Sequence, residues 1–98
     1  MLTTKQLDRL YHLAYNKHDT NVLEMLTQYY SSKKEVATYR DLIKSLNTVI
    51  NYPDTDAGLK TDLETFRDDI ELEFTDAKDD YQAAVTFLKT KAERWYLT

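Results

Sequence analysis

The stretch LKTDLETFRDDIELEFTDAKDDYQAAVTFLKTKAERWY, residues 59–96, contains neither glycine nor proline. Its nonpolar residues Leu59, Leu63, Phe66, Ile70, Phe74, Ala77, Tyr81, Ala84, Leu88, Ala92 and Trp95 step by threes and fours. The mean step is about 3.6 residues, and at about 100° per residue the whole series falls inside an arc of about 80°. A coiled-coil seam would step nearer ~3.5, so the spacing predicts a straight helix over about 59–96, roughly 57 Å long. The alternative is a break at Thr75-Asp76, where Asp76 with Asp79 would cap a fresh start.

Upstream of this stretch lie the chain's single proline and single glycine, Pro53 and Gly58. These two residue types interrupt regular structure most strongly, so their confinement to one short segment predicts a central turn, with Asp54-Thr55-Asp56-Ala57-Gly58 forming the turn and the cap of the long helix. At the amino terminus, Thr3 with Gln6 makes a capping box and Leu2 is placed to staple onto Leu7. The first helix is expected at about 4–16, with Leu7, Leu10, Tyr11, Ala14 and Tyr15 on its apolar face. Asp19 or Thr20 caps a second helix at about 20–31, whose apolar positions are Val22, Leu23, Met25, Leu26, Tyr29 and Tyr30. Beyond it the apolar stripe (Val36, Tyr39, Leu42, Ile43, Leu46, Val49) is rotated by about 120°, and Ser32 with Glu35 forms another capping box. This phase change predicts a separate third helix at about 33–51. The fold class expected is all-α: one domain over 1–98, a compact bundle of about four helices organised along the long carboxy-terminal one.

With 98 residues the chain has room for one core and little spare interior for an enclosed site. The absence of cysteine excludes disulfides, thiolate metal sites and cysteine nucleophiles. No basic segment followed by an apolar run opens the chain, and no stretch approaches the ~18 apolar residues of a membrane span; a soluble cytoplasmic protein is expected.

The net charge of −4 is unevenly spread, with eleven acids against three bases in residues 54–80. Phosphate contact needs clustered Lys and Arg, so direct nucleic-acid binding is not expected, even though Lys33, Lys34, Arg40 and Lys44 gather on one helix. A basic protein partner suits the charge.

Little points to catalysis. One glycine cannot build a phosphate-binding loop. Asp54-x-Asp56-x-Gly58 lacks the glycine at the sixth position and the glutamate at the twelfth that a calcium loop requires, and a helix-capping turn explains the same residues. Asp8 and His12 share a helix face as an ion pair or as half of a metal site, while His18 lies on another face. The serines have no glycine-rich elbow or base nearby. Solvated carboxylates such as Glu71, Glu73 and Asp76 lack the burial that would tune them for acid–base work. No catalytic residue, cofactor or metal is expected.

What remains is surface. Eight tyrosines are available for half-buried positions and interfaces, with Tyr11, Tyr29 and Tyr81, on apolar stripes, expected in the core and Tyr30, Tyr52 and Tyr96 expected to be partly exposed. On the back of the long helix, Leu72 and Phe87 stand beside Asp68, Asp69, Asp76, Asp79 and Asp80, a pattern suited to apolar anchoring within an acidic steering field. The alternative is that both apolar residues face a shorter helix or are isolated exposed side chains. In size, lack of cysteine and helical make-up the chain resembles small bacterial helical proteins, including the immunity proteins of pediocin-like bacteriocin producers. That resemblance is one of architecture, with no shared motif. The expected function is a non-enzymatic protein-binding module: an inhibitor, immunity or counter-defence factor of a prokaryote or phage. A structural protein that self-associates through the long helix is the alternative.

Overall fold

The computed structural model describes residues 2–97 and consists of three helices: α1 (Thr4–Lys17), α2 (Thr20–Ile50) and α3 (Ala57–Leu97). No strand occurs among the described residues. The capping box that opens α1 is formed, with Gln6 N donating to Thr3 Oγ1 at 3.1 Å and Thr3 N donating to Gln6 Oε1 at 2.9 Å. Leu2 and Leu7, the staple pair, are both buried in the core. α1 ends at His18, which adopts a left-handed conformation (φ 55°) and donates its backbone N–H to the carbonyls of Ala14 and Tyr15. Asp19 then caps α2 by accepting from Val22 N.

The expected boundary between helices at 20–31 and 33–51 is absent: α2 runs unbroken through it, giving three helices rather than four. Ser32 does not cap a new helix. Its buried hydroxyl donates back to the carbonyls of Gln28 (2.6 Å) and Tyr29 (3.3 Å), within the turn that precedes it. The rotated apolar stripe has a different cause, because one straight helix changes neighbours along its length. Val22, Leu26 and Tyr29 pack into a core built with α1 and α3, whereas Leu46 and Ile50, beyond the reach of α1, are buried against α3. A change of phase therefore marks where the third layer stops, not where the helix stops.

After Ile50 the turn is closed by Thr55, whose hydroxyl donates to the Val49 carbonyl at 2.7 Å. Asp56 Oδ2 accepts from the backbone N–H groups of Gly58 (3.0 Å) and Leu59 (3.2 Å), satisfying two unpaired donors at the start of α3. The Asp-x-Asp-x-Gly segment is thus a helix cap, and Gly58 lies inside the first helical turn. α3 continues without a break at Thr75-Asp76. Its 41 residues span roughly 61 Å, the longest dimension of the molecule (61 × 20 × 16 Å).

Two regions result. At the base, α1, the first part of α2 and the last part of α3 enclose one apolar cluster that includes Leu7, Leu10, Val22, Leu26, Ala84 and Leu88. Trp95 packs against it, with Lys17 Nζ 4.9 Å from the ring centroid. Beyond Tyr29 and Tyr81, whose rings are 5.3 Å apart, α2 and α3 continue as an antiparallel arm only two helices thick. In a two-helix layer each apolar stripe is covered along one flank and open along the other. Leu59 and Phe66 accordingly remain 50% and 47% exposed although they belong to the same ridge as the fully buried Leu88.

Candidate partner-binding surfaces

The outer face of α3 carries the acidic residues picked out by spacing, and the structure keeps most of them in solvent. Asp68, Asp69, Asp76, Asp79 and Asp80 are exposed, and Leu72, at 69%, is the most exposed large apolar side chain among the described residues. Leu72 thus faces no shorter helix. Phe87 behaves differently, because it is half-buried against the core and has Lys91 Nζ 5.7 Å from its ring. Fifteen residues of helix separate the two, about 22 Å along the axis, so they do not form one patch. Phe87 belongs instead to a depression lined by Asp79, Ala83, Thr90, Lys91 and Arg94.

The carboxylates on this face are not equivalent. Asp68 accepts from Arg67 Nε (3.3 Å) and Nη2 (3.2 Å), while Arg67 Nη1 donates to Asn47 Oδ1 at 3.0 Å and so ties α3 to α2. Asp80 contributes its backbone carbonyl to Gln28 Nε2 at 2.9 Å, leaving its carboxylate in solvent. The Tyr39 phenol of α2 has its pKa raised above its ordinary value, first by desolvation and then by the nearby Glu73 carboxylate of α3. The Arg67–Asn47 and Gln28–Asp80 hydrogen bonds thus tie α2 to α3 behind the acidic face.

The tyrosines divide between core and surface. Tyr29 is buried and its phenol is pushed up to about 12, by desolvation first and by a hydrogen bond with Tyr81 second. Tyr11, expected in the core, is half-exposed, as is Tyr15, because α1 turns the narrower stripe of Leu7, Leu10 and Ala14 inward and leaves these two rings on its rim, 6.4 Å apart and stacked. Tyr30 and Tyr52 are exposed as expected; the expectation for Tyr96 concerns a side chain outside the described residues. His12 Nε2 lies 3.5 Å from Asp8 Oδ1 on the surface of α1. Among the described residues, no three His, Cys, Asp or Glu side chains converge as metal ligands, and no helix is long and apolar enough to cross a membrane.

Spacing alone missed the open flank of the arm. Val49, Leu59 and Phe66 fit their stripes as well as any buried residue does, and what exposes them is the absence of a third helix at their level. The only cue within the sequence was helix length, since α1 is far too short to follow α3 from end to end.

No family model matches this chain, and neither does any curated protein or solved structure.

Proposed function

We propose that the chain is a non-enzymatic protein-binding module of the cytoplasm, an inhibitor, immunity or counter-defence factor that docks the acidic outer face of α3 on a basic protein surface. The observation that carries this reading is Leu72, a large apolar side chain held in solvent on a continuous helix, with Asp68, Asp69, Asp76, Asp79 and Asp80 around and beyond it. Apolar anchors supply affinity, and a surrounding field of one sign steers and orients a partner of the other sign. Phe87, half-buried, contributes at the edge of the surface rather than as a second anchor.

Affinity capture from the native host, at low and at high salt, tests the reading with an Asp68→Lys/Asp69→Lys/Asp76→Lys variant beside the unaltered chain. Capture is expected to weaken with salt and to fail in the charge-reversed variant. A partner held equally at both salt concentrations, or retained in full by the variant, refutes it.

A second reading, self-association through α3, starts from the half-exposed Leu59 and Phe66 on the ridge of that helix, and the acids beside them oppose it. Light scattering over a range of concentrations decides it, because a strict monomer removes self-assembly.

A further inference from the structure

The open flank of the arm has a definite geometry. Viewed down each helix at about 100° per residue, Asn47 lies about 100° to one side of the buried Leu46 on α2, and Arg67 lies about 60° to the same side of the buried Ile70 on α3. The Arg67–Asn47 hydrogen bond shows that these two flanks meet on one face of the arm. Val49 lies about 60° to the other side of Leu46, and Phe66 about 40° to the other side of Ile70, so both open onto the opposite face. Their levels agree as well. The pairs Asn47 with Arg67 and Tyr39 with Glu73 set the antiparallel register, which places Val49 beside Phe66, with Leu59 two turns nearer the tip and the half-buried Leu42 about two turns farther down. This face therefore offers an apolar strip of about four turns in which Val49, Leu59 and Phe66 are each close to half-exposed.

The edges of the strip differ in charge. On the α3 side, Glu73, Asp62 and Asp69 fall about 60°, 80° and 100° from Ile70, next to Phe66 and Leu59. On the α2 side, the neutral Ser45 stands at the level of Asp69, and Asp41, farther round the helix, at that of Glu73. Lys60, Arg67 and Lys78 lie on the opposite flank of α3, and Arg40 and Lys44 on the side of α2 that carries Asn47, so no base of this stretch borders the strip. A second copy packed face to face would therefore set α3 acids against other acids or against a neutral edge, without one compensating base. A segment with bases along one edge and apolar residues at i, i+3, i+4 and i+7 matches both the strip and the charge.

We infer that the Val49–Leu59–Phe66 face of the arm is a groove for a basic amphipathic helix of a partner protein, which lies along it as the missing third helix with its lysine or arginine edge toward Asp62, Asp69 and Glu73. The inference shares the reading of the chain as a protein-binding module and centres on a different face from Leu72, with Asp69 standing on the border between the two.

The probe is a fluorescein-labelled synthetic helix with leucines at i, i+3, i+4 and i+7 and lysines at its edges, compared with a counterpart in which glutamates replace the lysines. Added to the full chain, the lysine helix is expected to bind and to shift backbone amide resonances within 42–49 and 59–73, and the glutamate helix to bind at least about tenfold more weakly. Phe66→Ser and Leu59→Ser leave the charge untouched and alter half-exposed positions; each is expected to lower affinity for the lysine helix by about tenfold, while Tyr15→Ser, an exposed tyrosine on α1, leaves it unchanged. Equal binding of the two helices, indifference to both serine variants, or shifts confined to the outer face around Leu72 overturn the inference. So does a dimer in light scattering that Phe66→Ser dissolves, since the groove is then filled by a second copy. Because the readout is peptide binding by variants that keep every carboxylate, this inference and the outer-face reading fail separately.

Discussion

Two residues of the same α3 ridge, Leu88 and Phe66, should respond very differently to truncation. Leu88 is 0% exposed within the cluster formed by all three helices. Leu88→Ala removes three carbons, about 2.4 kcal/mol of transfer free energy at ~0.8 kcal/mol each, and leaves a cavity that the surrounding helices close only in part, for a total of about 3–4 kcal/mol. For a chain of this length, with an unfolding entropy near 0.2 kcal/mol per kelvin, that is a fall in Tm of about 15–20 °C. Phe66 is 47% exposed on the open flank of the arm, so Phe66→Ala forfeits about half of a buried aromatic's contribution and leaves no enclosed void, costing about 1–1.5 kcal/mol. Urea titrations followed by circular dichroism, with thermal melts alongside, measure both. If Phe66→Ala destabilises as much as Leu88→Ala, a third layer covers the arm and the two-helix description is wrong.

Alkaline pH should destabilise the fold through Tyr29, whose folded-state pKa of about 12 stands above the ordinary 10.0. Because the fold favours the neutral phenol, its contribution, on the order of 2 kcal/mol, is fully present below pH ~10 and lost as pH rises from about 10 to 12; urea midpoints should fall across that window and Tyr29→Phe should flatten the fall. Thr3→Ala removes the acceptor of the α1 capping box and is expected to lower stability by about 1 kcal/mol, measured by urea titration, with earlier amide exchange at the start of α1. His18 sits at φ 55°, so His18→Val should cost about 1–2 kcal/mol, whereas His18→Gly, which adopts that conformation freely, should be neutral or mildly stabilising in the same titration.

Of the candidate docking surface, the outer face of α3 was legible in the residues and its depth was not. Spacing placed Leu72 and Phe87 roughly opposite the ridge, yet only coordinates separate the exposed leucine from the phenylalanine that leans on the core. The difference lies in how far the base of the bundle extends along α3, a tertiary distance that local periodicity does not encode. Tyr11 shows the same limit, since a ring at the margin of a stripe is core or rim according to the width of the neighbour it meets.

By itself, the order of residues determined the helical class, the cap at Thr3, a second cap at Asp19 or Thr20, and the turn and cap within Asp54–Gly58, while the structure singled out Asp19 and Asp56 and carried α3 through Thr75-Asp76 without a break. What the residues determined is in each case a short-range matter of backbone donors, breakers and a repeat near 3.6. Tertiary structure decided the continuity of α2. A stripe that rotates by about 120° reads locally as two helices, and reads as one helix only when α1 is seen to cover its first part alone. It also decided which half of the α3 ridge is interior, because burial depends on how many neighbours reach a given level of a long helix, and α1, at 14 residues, ends before the arm begins.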